Sequence, residues 1–261
     1  MLIVTRIRRL LAKQPWAIVM FPWCEAKSNL NPLQGLLDVR IIALETSTRA
    51  GSVALLADDK VVAAQSLPRE RRTAEVLVPT IDTLLTQVDW KPAELQLVTV
   101  TSGPGSFTGL RIAVTTAKTL AYAVGAELIA INTLEVIAAR LPSSCQTAAV
   151  VMNAQRGQWF AATYCRAADG SWLEEQPCQL VDRRPWLETL AAGTILTGPS
   201  ADRSGAPLPT GIELADSALW FPQADDLGRL AWHRYQQGER ADLWTLVPHY
   251  YRPSYAEEGS V

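Results

Sequence analysis

Histidine is close to absent from this 261-residue chain: it has two, His233 and His249, which cannot share one helical face. Cysteine is scarce as well, and Cys24, Cys145, Cys165 and Cys178 form no C-x-x-C pair. Without imidazole or thiolate clusters no metal-ligand spacing can be assembled, and the cysteines read as reduced, buried thiols. No Ser-His-Asp, Cys-His or paired-carboxylate arrangement can be built either. Long apolar runs are missing too: none approaches the ~20 residues that span a bilayer, so an integral membrane protein is not expected. Charge is sparse, at 19% of residues, and balances to −2. That argues against a large non-specific nucleic-acid surface and leaves room only for a local basic patch.

What is present is an ordinary globular composition, with 48% hydrophobic residues, 16 prolines and 15 glycines. A disordered, collagen-like or disulfide-scaffold chain would not read this way. The length exceeds the usual single-domain size, so one large domain or two lobes is expected. Residues 1–38 stand apart. Arg6, Arg8, Arg9 and Lys13 precede an apolar run from Trp16 to Trp23, an order a signal peptide would have, but no small-x-small cleavage site follows. Taken alone, residues 1–24 would favour an exported lipoprotein or cell-wall protein. Strand patterning begins at Val39, a residue that an internal GTG start codon would yield. The first 38 residues are therefore expected to be an extension that the fold does not need. Five of the 24 Lys and Arg but only two of the 26 Asp and Glu precede Val39, so the body is the more acidic part.

From Val39 the pattern is regular. Val39–Leu44, Ser52–Ala57 and Val61–Leu67 read as a meander of three antiparallel strands. Thr73–Val88 reads as a helix, with Leu77, Ile81, Leu84, Leu85 and Val88 at helical spacing and a kink expected at Pro79. A strand at 95–101, a glycine-rich loop at 102–109, a helix Leu110–Val124 closed by Gly125 and a strand at 127–131 follow. A meander followed by β-α-β-α-β gives a mixed sheet with helices. The second half repeats the idea. It has a hairpin of 148–152 with 157–165, a strand through Gln179-Leu180-Val181, and a helix capped by Asp182 and ending at Gly193. A strand at 194–197 and a helix Leu227–Gln237, capped by Asp226 and stopped by Gly238, complete it. Residues 199–225 read as loop. The expected organisation is an α/β chain of two lobes, 39–135 and 136–261, joined near 132–145.

The loop Ser102-Gly103-Pro104-Gly105-Ser106-Phe107-Thr108-Gly109-Leu110-Arg111 joins a strand to a helix. Glycines there permit unusual backbone angles, and the unpaired amides of the helix start can be capped by Ser106 or Thr108, or by an anion. It is not a Walker A loop, because no lysine follows a glycine. A tight turn and a phosphate cradle both fit.

Three stretches taken together, Ile41-Ile42-Ala43-Leu44-Glu45-Thr46-Ser47-Thr48, the 102–111 loop and Pro248-His249-Tyr250-Tyr251-Arg252-Pro253, resemble the TsaB family. The resemblance runs from about Val39 to about Glu258. It implies an actin-like, sugar-kinase-like fold of two lobes, each a mixed sheet flanked by helices. It also implies a cytoplasmic, non-catalytic partner of TsaD in the bacterial machinery that makes threonylcarbamoyladenosine in tRNA. TsaE, an ATPase, is implied as a third component, a homodimer as the state without TsaD, and tRNA contact only through the complex. The sequence departs from the family pattern at Glu45, where Asp is usual, at Thr73, where His is frequent, and at Asn153-Ala154-Gln155-Arg156, where Asp-Ala-Arg is typical.

The catalytic relative grips its metal through a His-x-x-x-His pair, which this chain lacks. No metal, cofactor of its own or catalytic residue is expected; ATP or ADP at the partner interface, near Ser106 and Thr108, is the one ligand implied. The rival is a catalytically active member of the wider superfamily: a TsaD-like transferase, a kinase or a glycoprotease-like hydrolase. Helix Leu110–Val124 carries alanines and larger apolar residues around most of its circumference, which predicts burial on several sides. The pattern alone favours intramolecular core on both faces of this helix and of Thr73–Val88; if second faces are exposed, they form a partner surface, as the resemblance implies. Leu77, Ile81, Leu110, Ala113, Val114, Ala117 and Ala121 are the expected interface, and Ala117→Arg is expected to abolish binding of TsaD without unfolding the chain. Tyr250, Tyr251, Arg252 and Tyr255 could stack on RNA or, the preferred reading, tie the tail across the lobe boundary.

Overall fold

The computed structural model describes residues 38–203 and 207–252. The extension expected at 1–38, Asp38 apart, lies outside the described residues, as do Cys24 and Tyr255. Two five-stranded sheets organise the rest. In the first, β1 (Arg40–Glu45), β2 (Ser52–Ala57), β3 (Lys60–Ser66), β4 (Leu97–Gly103) and β5 (Glu127–Asn132) lie in the order β3-β2-β1-β4-β5. In the second, β6 (Thr147–Asn153), β7 (Gln158–Arg166), β8 (Trp172–Asp182), β9 (Ile195–Thr197) and β10 (Glu213–Leu214) lie in the order β10-β9-β6-β7-β8. Each sheet is built outward from its first strand. β1 pairs antiparallel with β2 and parallel with β4, and β6 pairs antiparallel with β7 and parallel with β9. One strand plan used twice, with helices on the sheets, is the two-lobed actin-like arrangement.

The first sheet is covered on both faces. Helices α1 (Thr73–Gln87) and α2 (Phe107–Val124) pack with Ile42, Leu44, Val98 and Val100 in one core. Ile41, Ala43 and Leu97 face the other way, into a core closed by α5 (Ala224–Gln236). A strand buried on both faces cannot alternate polar with apolar, which is why β1 reads Ile-Ile-Ala-Leu. Pro79 lies on the exposed side of α1 without ending it. The α2 helix stops where expected, with Gly125 in the left-handed region at φ 74°.

The joint expected near 132–145 contains a helix, α3 (Thr133–Ala139), started by Asn132, whose side chain accepts the Leu134 N–H at 2.8 Å. Leu134, Ile137 and Ala138 enter the core of the second sheet while Val136 enters that of the first. Arg234 meets Glu135 at 2.6 Å and Arg140 meets Asp226 at 2.8 Å, fixing α3 to α5. The expected boundary at 135/136 thus falls inside α3, and α5, beyond it in sequence, returns to the first sheet. Packing does not follow the sequence division there, because the second face of the first sheet is apolar and α5 is what covers it.

Two expected caps differ. Asp182 accepts from Gln158 Nε2 at 3.1 Å rather than capping, and the helix after it, α4 (Arg183–Leu187), has five residues. The α5 helix starts at Ala224, held by its N–H donating to Ser52 Oγ at 2.9 Å, so Asp226 sits inside the first turn and serves Arg140 instead. Tertiary partners outcompete local capping at both places. Within 199–225, read as loop, there are β10 and short 3-10 turns at Ala201–Arg203 and Ser217–Leu219. Among the described residues no helix is long and apolar enough to cross a membrane, and no three His, Cys, Asp or Glu gather as metal ligands. Cys145, Cys165 and Cys178 are free thiols, Cys165 half-buried and the other two buried.

Candidate functional site

The glycine-rich loop leaves β4 and starts α2, and its glycines make room for backbone. A Cβ at Gly105 would stand 2.5 Å from the Ser47 carbonyl oxygen, and one at Gly109 would stand 2.1 Å from that of Thr46. The loop is docked on the turn after β1: Ser106 N–H donates to the Ser47 carbonyl at 2.7 Å, and the Thr46 hydroxyl donates to the Gly109 carbonyl at 2.8 Å. Ser106 is exposed, and its hydroxyl caps α2 by accepting the Gly109 N–H at 3.2 Å. Thr108 is exposed in the first turn of α2. The backbone forms a tight turn, and Ser106 and Thr108 stay exposed at its exit into α2. The loop's bonds go to its own chain.

Beneath the loop lies Glu45, fully buried at the end of β1. Its Oε1 accepts from the Ser47 N–H at 2.7 Å and also from the Ser47 hydroxyl, while Oε2 is buried with no hydrogen-bond partner. Burial pushes this carboxyl up to about 7, and the bonds from Ser47 pull it back only partly. At the matching end of β6 stands Asn153, whose Oδ1 accepts from Gln155 N–H at 3.0 Å and from Arg183 at 3.2 Å.

The seven residues expected at a partner interface are all interior. Leu77, Ile81, Ala113, Val114, Ala117 and Ala121 belong to the core under α1 and α2, and Leu110 is buried beside Gly103. The spacing explains the correction. Positions 110, 113, 114, 117 and 121 recur every three or four residues and so form one face, the face on the sheet. The outward positions of α2 carry Phe107, Thr108, Arg111, Thr115 and Tyr122, and those of α1 carry Glu75, Asp82, Thr83 and Gln87. Neither helix has a second apolar face of its own. Ala117→Arg would therefore put a guanidinium into the core, and it tests the fold rather than an interface.

An apolar surface over α2 is nevertheless present, supplied largely by the chain's tail. Residues 240–252 run along the helix as a strap. Lys118 Nζ donates to the carbonyls of Trp244 at 3.3 Å and Leu246 at 2.9 Å. Tyr122 meets Trp244 edge-on at 5.7 Å between ring centroids, and Phe107 lies 4.9 Å from Tyr250, with Arg111 over the Phe107 ring. These two aromatic pairs sit at opposite ends of α2, roughly 22 Å apart. Nine large hydrophobic side chains are exposed among the described residues, and five of them, Phe107, Tyr122, Trp244, Val247 and Tyr250, are on α2 or the strap. The sequence signal was the outward spacing of 107, 111 and 122, hidden by the many alanines between them.

The tail also crosses between the lobes, the preferred of the two readings given for it. His249 N–H donates to the Ser102 carbonyl at 2.7 Å, the Tyr251 hydroxyl accepts from Asn132 Nδ2 at 3.0 Å, and Arg252 donates to the Ala154 carbonyl and to Gln158 Oε1.

Comparison with known proteins places this geometry. The family model described as TsaD, tRNA N6-adenosine threonylcarbamoyltransferase, matches residues 64–171. The chain is 30% identical over 224 residues to the tRNA threonylcarbamoyladenosine biosynthesis protein TsaB of Bacillus subtilis, covering 83% of this chain and 96% of that one. It is 26% identical to the Escherichia coli protein of the same name, over 84% of this chain and 96% of that one. Among solved structures, a Pseudomonas aeruginosa protein described as uncharacterized, with similarity to peptidase YEAZ, superposes with a TM-score of 0.71 at 25% identity, over 82% of this chain and 100% of that one.

Proposed function

We propose a function from one premise: the chain belongs to the TsaB family of tRNA threonylcarbamoyladenosine biosynthesis proteins. In that pathway it acts as a non-catalytic subunit that binds TsaD and holds it in a working arrangement. The observation that carries this reading is the aromatic surface on α2 and the strap. Exposed aromatic side chains gathered along one helix and its strap mark a place where another protein sits, and aromatic side chains with an arginine are its usual anchors.

The partner's build supports the pairing. The TsaD model matches the stretch 64–171, which contains α1 and α2, so TsaD carries counterparts of these helices. The matching helices then meet about an approximate two-fold axis, as in isologous dimers, and the strap, outside the matched stretch, is this chain's own addition to the surface. A second copy of this chain takes the same surface when TsaD is absent. TsaE joins the assembly, tRNA reaches the chain only through it, and the setting is cytoplasmic. At the loop, the Glu45 carboxyl is sealed beneath the backbone and the Ser106 amide is tied to Ser47, which favours a supporting subunit over a catalyst. ATP or ADP at the interface would lie against Ser106 and Thr108, at the positive end of α2.

Size-exclusion chromatography of the chain with TsaD from the same organism tests this. Tyr122→Arg, exposed and outside the core, should abolish the complex while leaving the thermal midpoint within about 2 °C, as for surface substitutions. A complex that survives both Tyr122→Arg and Phe107→Arg would overturn the docking surface.

A further inference from the structure

We propose that the strap is a working part of the docking surface and couples partner binding to the setting of the two lobes, an inference that rests on the docking reading above. Its residues are held at four successive places. At its start the Ala241 N–H donates to the Leu128 carbonyl at 2.7 Å, adding the chain to the flank of β5, and Leu243 and Leu246 pack on the first core. Along α2, Lys118 grips the carbonyls of Trp244 and Leu246, and the Asp242 carboxylate accepts the N–H groups of Trp244 at 2.9 Å and Thr245 at 2.7 Å. At the glycine-rich loop the strap comes so close that a Cβ on Gly103 would lie 2.6 Å from the His249 carbonyl oxygen. Gly103 has φ 122°, an angle open to glycine alone, so loop and strap are fitted to each other.

The fourth hold is on the other lobe. Tyr251 packs at 6.0 Å from Phe160 of β7, and Arg252 bridges the Ala154 carbonyl and the Gln158 side chain across the β6–β7 turn. Two residues separate His249 on the first lobe from Arg252 on the second, and the three steps of chain between them span at most about 10 Å. A segment this short has no slack. Any change in the angle between the lobes must lift the strap from the Gly103 loop or pull Arg252 from the hairpin. The strap also turns Trp244, Val247 and Tyr250 outward, Tyr250 from within that short segment. A partner covering those side chains therefore clamps the element that sets the lobes. By linkage, whatever fixes the lobes strengthens partner binding by the same factor.

Hydrogen exchange and titration calorimetry on the full chain, with TsaD, test the coupling. In the wild type, TsaD should slow amide exchange in α2 and also in the 153–158 turn, which lies outside the proposed docking surface. Arg252→Ala leaves Tyr122 and Trp244 in place, yet should weaken TsaD binding about tenfold, within the usual range of coupling between sites. It should also abolish the slowing at 153–158. Arg252→Lys keeps the charge but loses the two-pronged grip, and should fall between. Circular dichroism identifies a variant that fails to fold, in which case the Lys variant carries the test. Equal TsaD affinity in the wild type and both variants, with no slowing at 153–158, would overturn the coupling and leave the docking reading intact. No binding by the wild type would overturn both.

Discussion

The central strands are buried in both sheets, β4 along its whole length and β6 at five of its seven residues, while the edge strands β3 and β8 bury one residue each. The strand plan is the same and the layering is not. The first sheet has α1 and α2 on one face and α5 on the other, and α5 comes from the far end of the chain. The second sheet has α3 on one face, the short α4 with the 3-10 turn at Ala201–Arg203 on the other, and β8 as a solvated edge carrying Glu174, Glu175 and Gln176. Charge on an edge strand discourages pairing with another chain.

That contrast can be broken by substitution. The largest effect is expected for Ala117→Arg. It forces a charged, bulky side chain into a fully buried site between α2 and the sheet, and should cost about 4 kcal/mol or more or prevent folding. Urea unfolding with circular dichroism would show it. A stable, folded variant would mean that the first lobe is far looser than its packing.

The next effect distinguishes the two matching turns. Glu45, at the end of β1, holds its proton up to about pH 7 in the fold, whereas an unfolded glutamate releases it near 4.5. Between those values the native state binds more protons than the unfolded state, so stability falls as pH rises from about 4.5 to about 7 and then levels off. The shift corresponds to a loss on the order of 3 kcal/mol across that window. Glu45→Gln should remove most of that slope, and unfolding midpoints at pH 5 and 7.5 would measure it. Glu135 and Asp226, also raised by burial, are present in both proteins and cancel in the difference. Asn153, the counterpart in the second lobe, does not titrate. The smallest effect is expected at Leu173 on β8, which is exposed: Leu173→Ser should change stability by no more than about 0.5 kcal/mol.

The elements were legible where local signals agreed. The β1–β2–β3 meander, α2 with its Gly125 stop and the β6–β7 hairpin follow from periodicity and turn residues within a few positions. The α3 helix was not legible because seven residues between two lobes are too few to show a period. Asp182 and Asp226 looked like caps because Asp commonly is one, but each had a distant partner. At the site, the loop and the strap motif were recognisable as sequence, yet the interface residues chosen from α1 and α2 were the inward ones. Composition said that the helices were apolar. It could not say which of those residues turned inward.

The chain's order of apolar and turn residues determined the two sheets, their strand plan and the helices between them, because period and chirality act over a few residues. Only the tertiary structure decided what covers what. The return of α5 to the first sheet, the sealing of Glu45 under the loop and the laying of residues 240–252 along α2 and across to the β6–β7 turn join positions up to 172 apart. Such contacts are set by which apolar faces remain uncovered once local structure has formed.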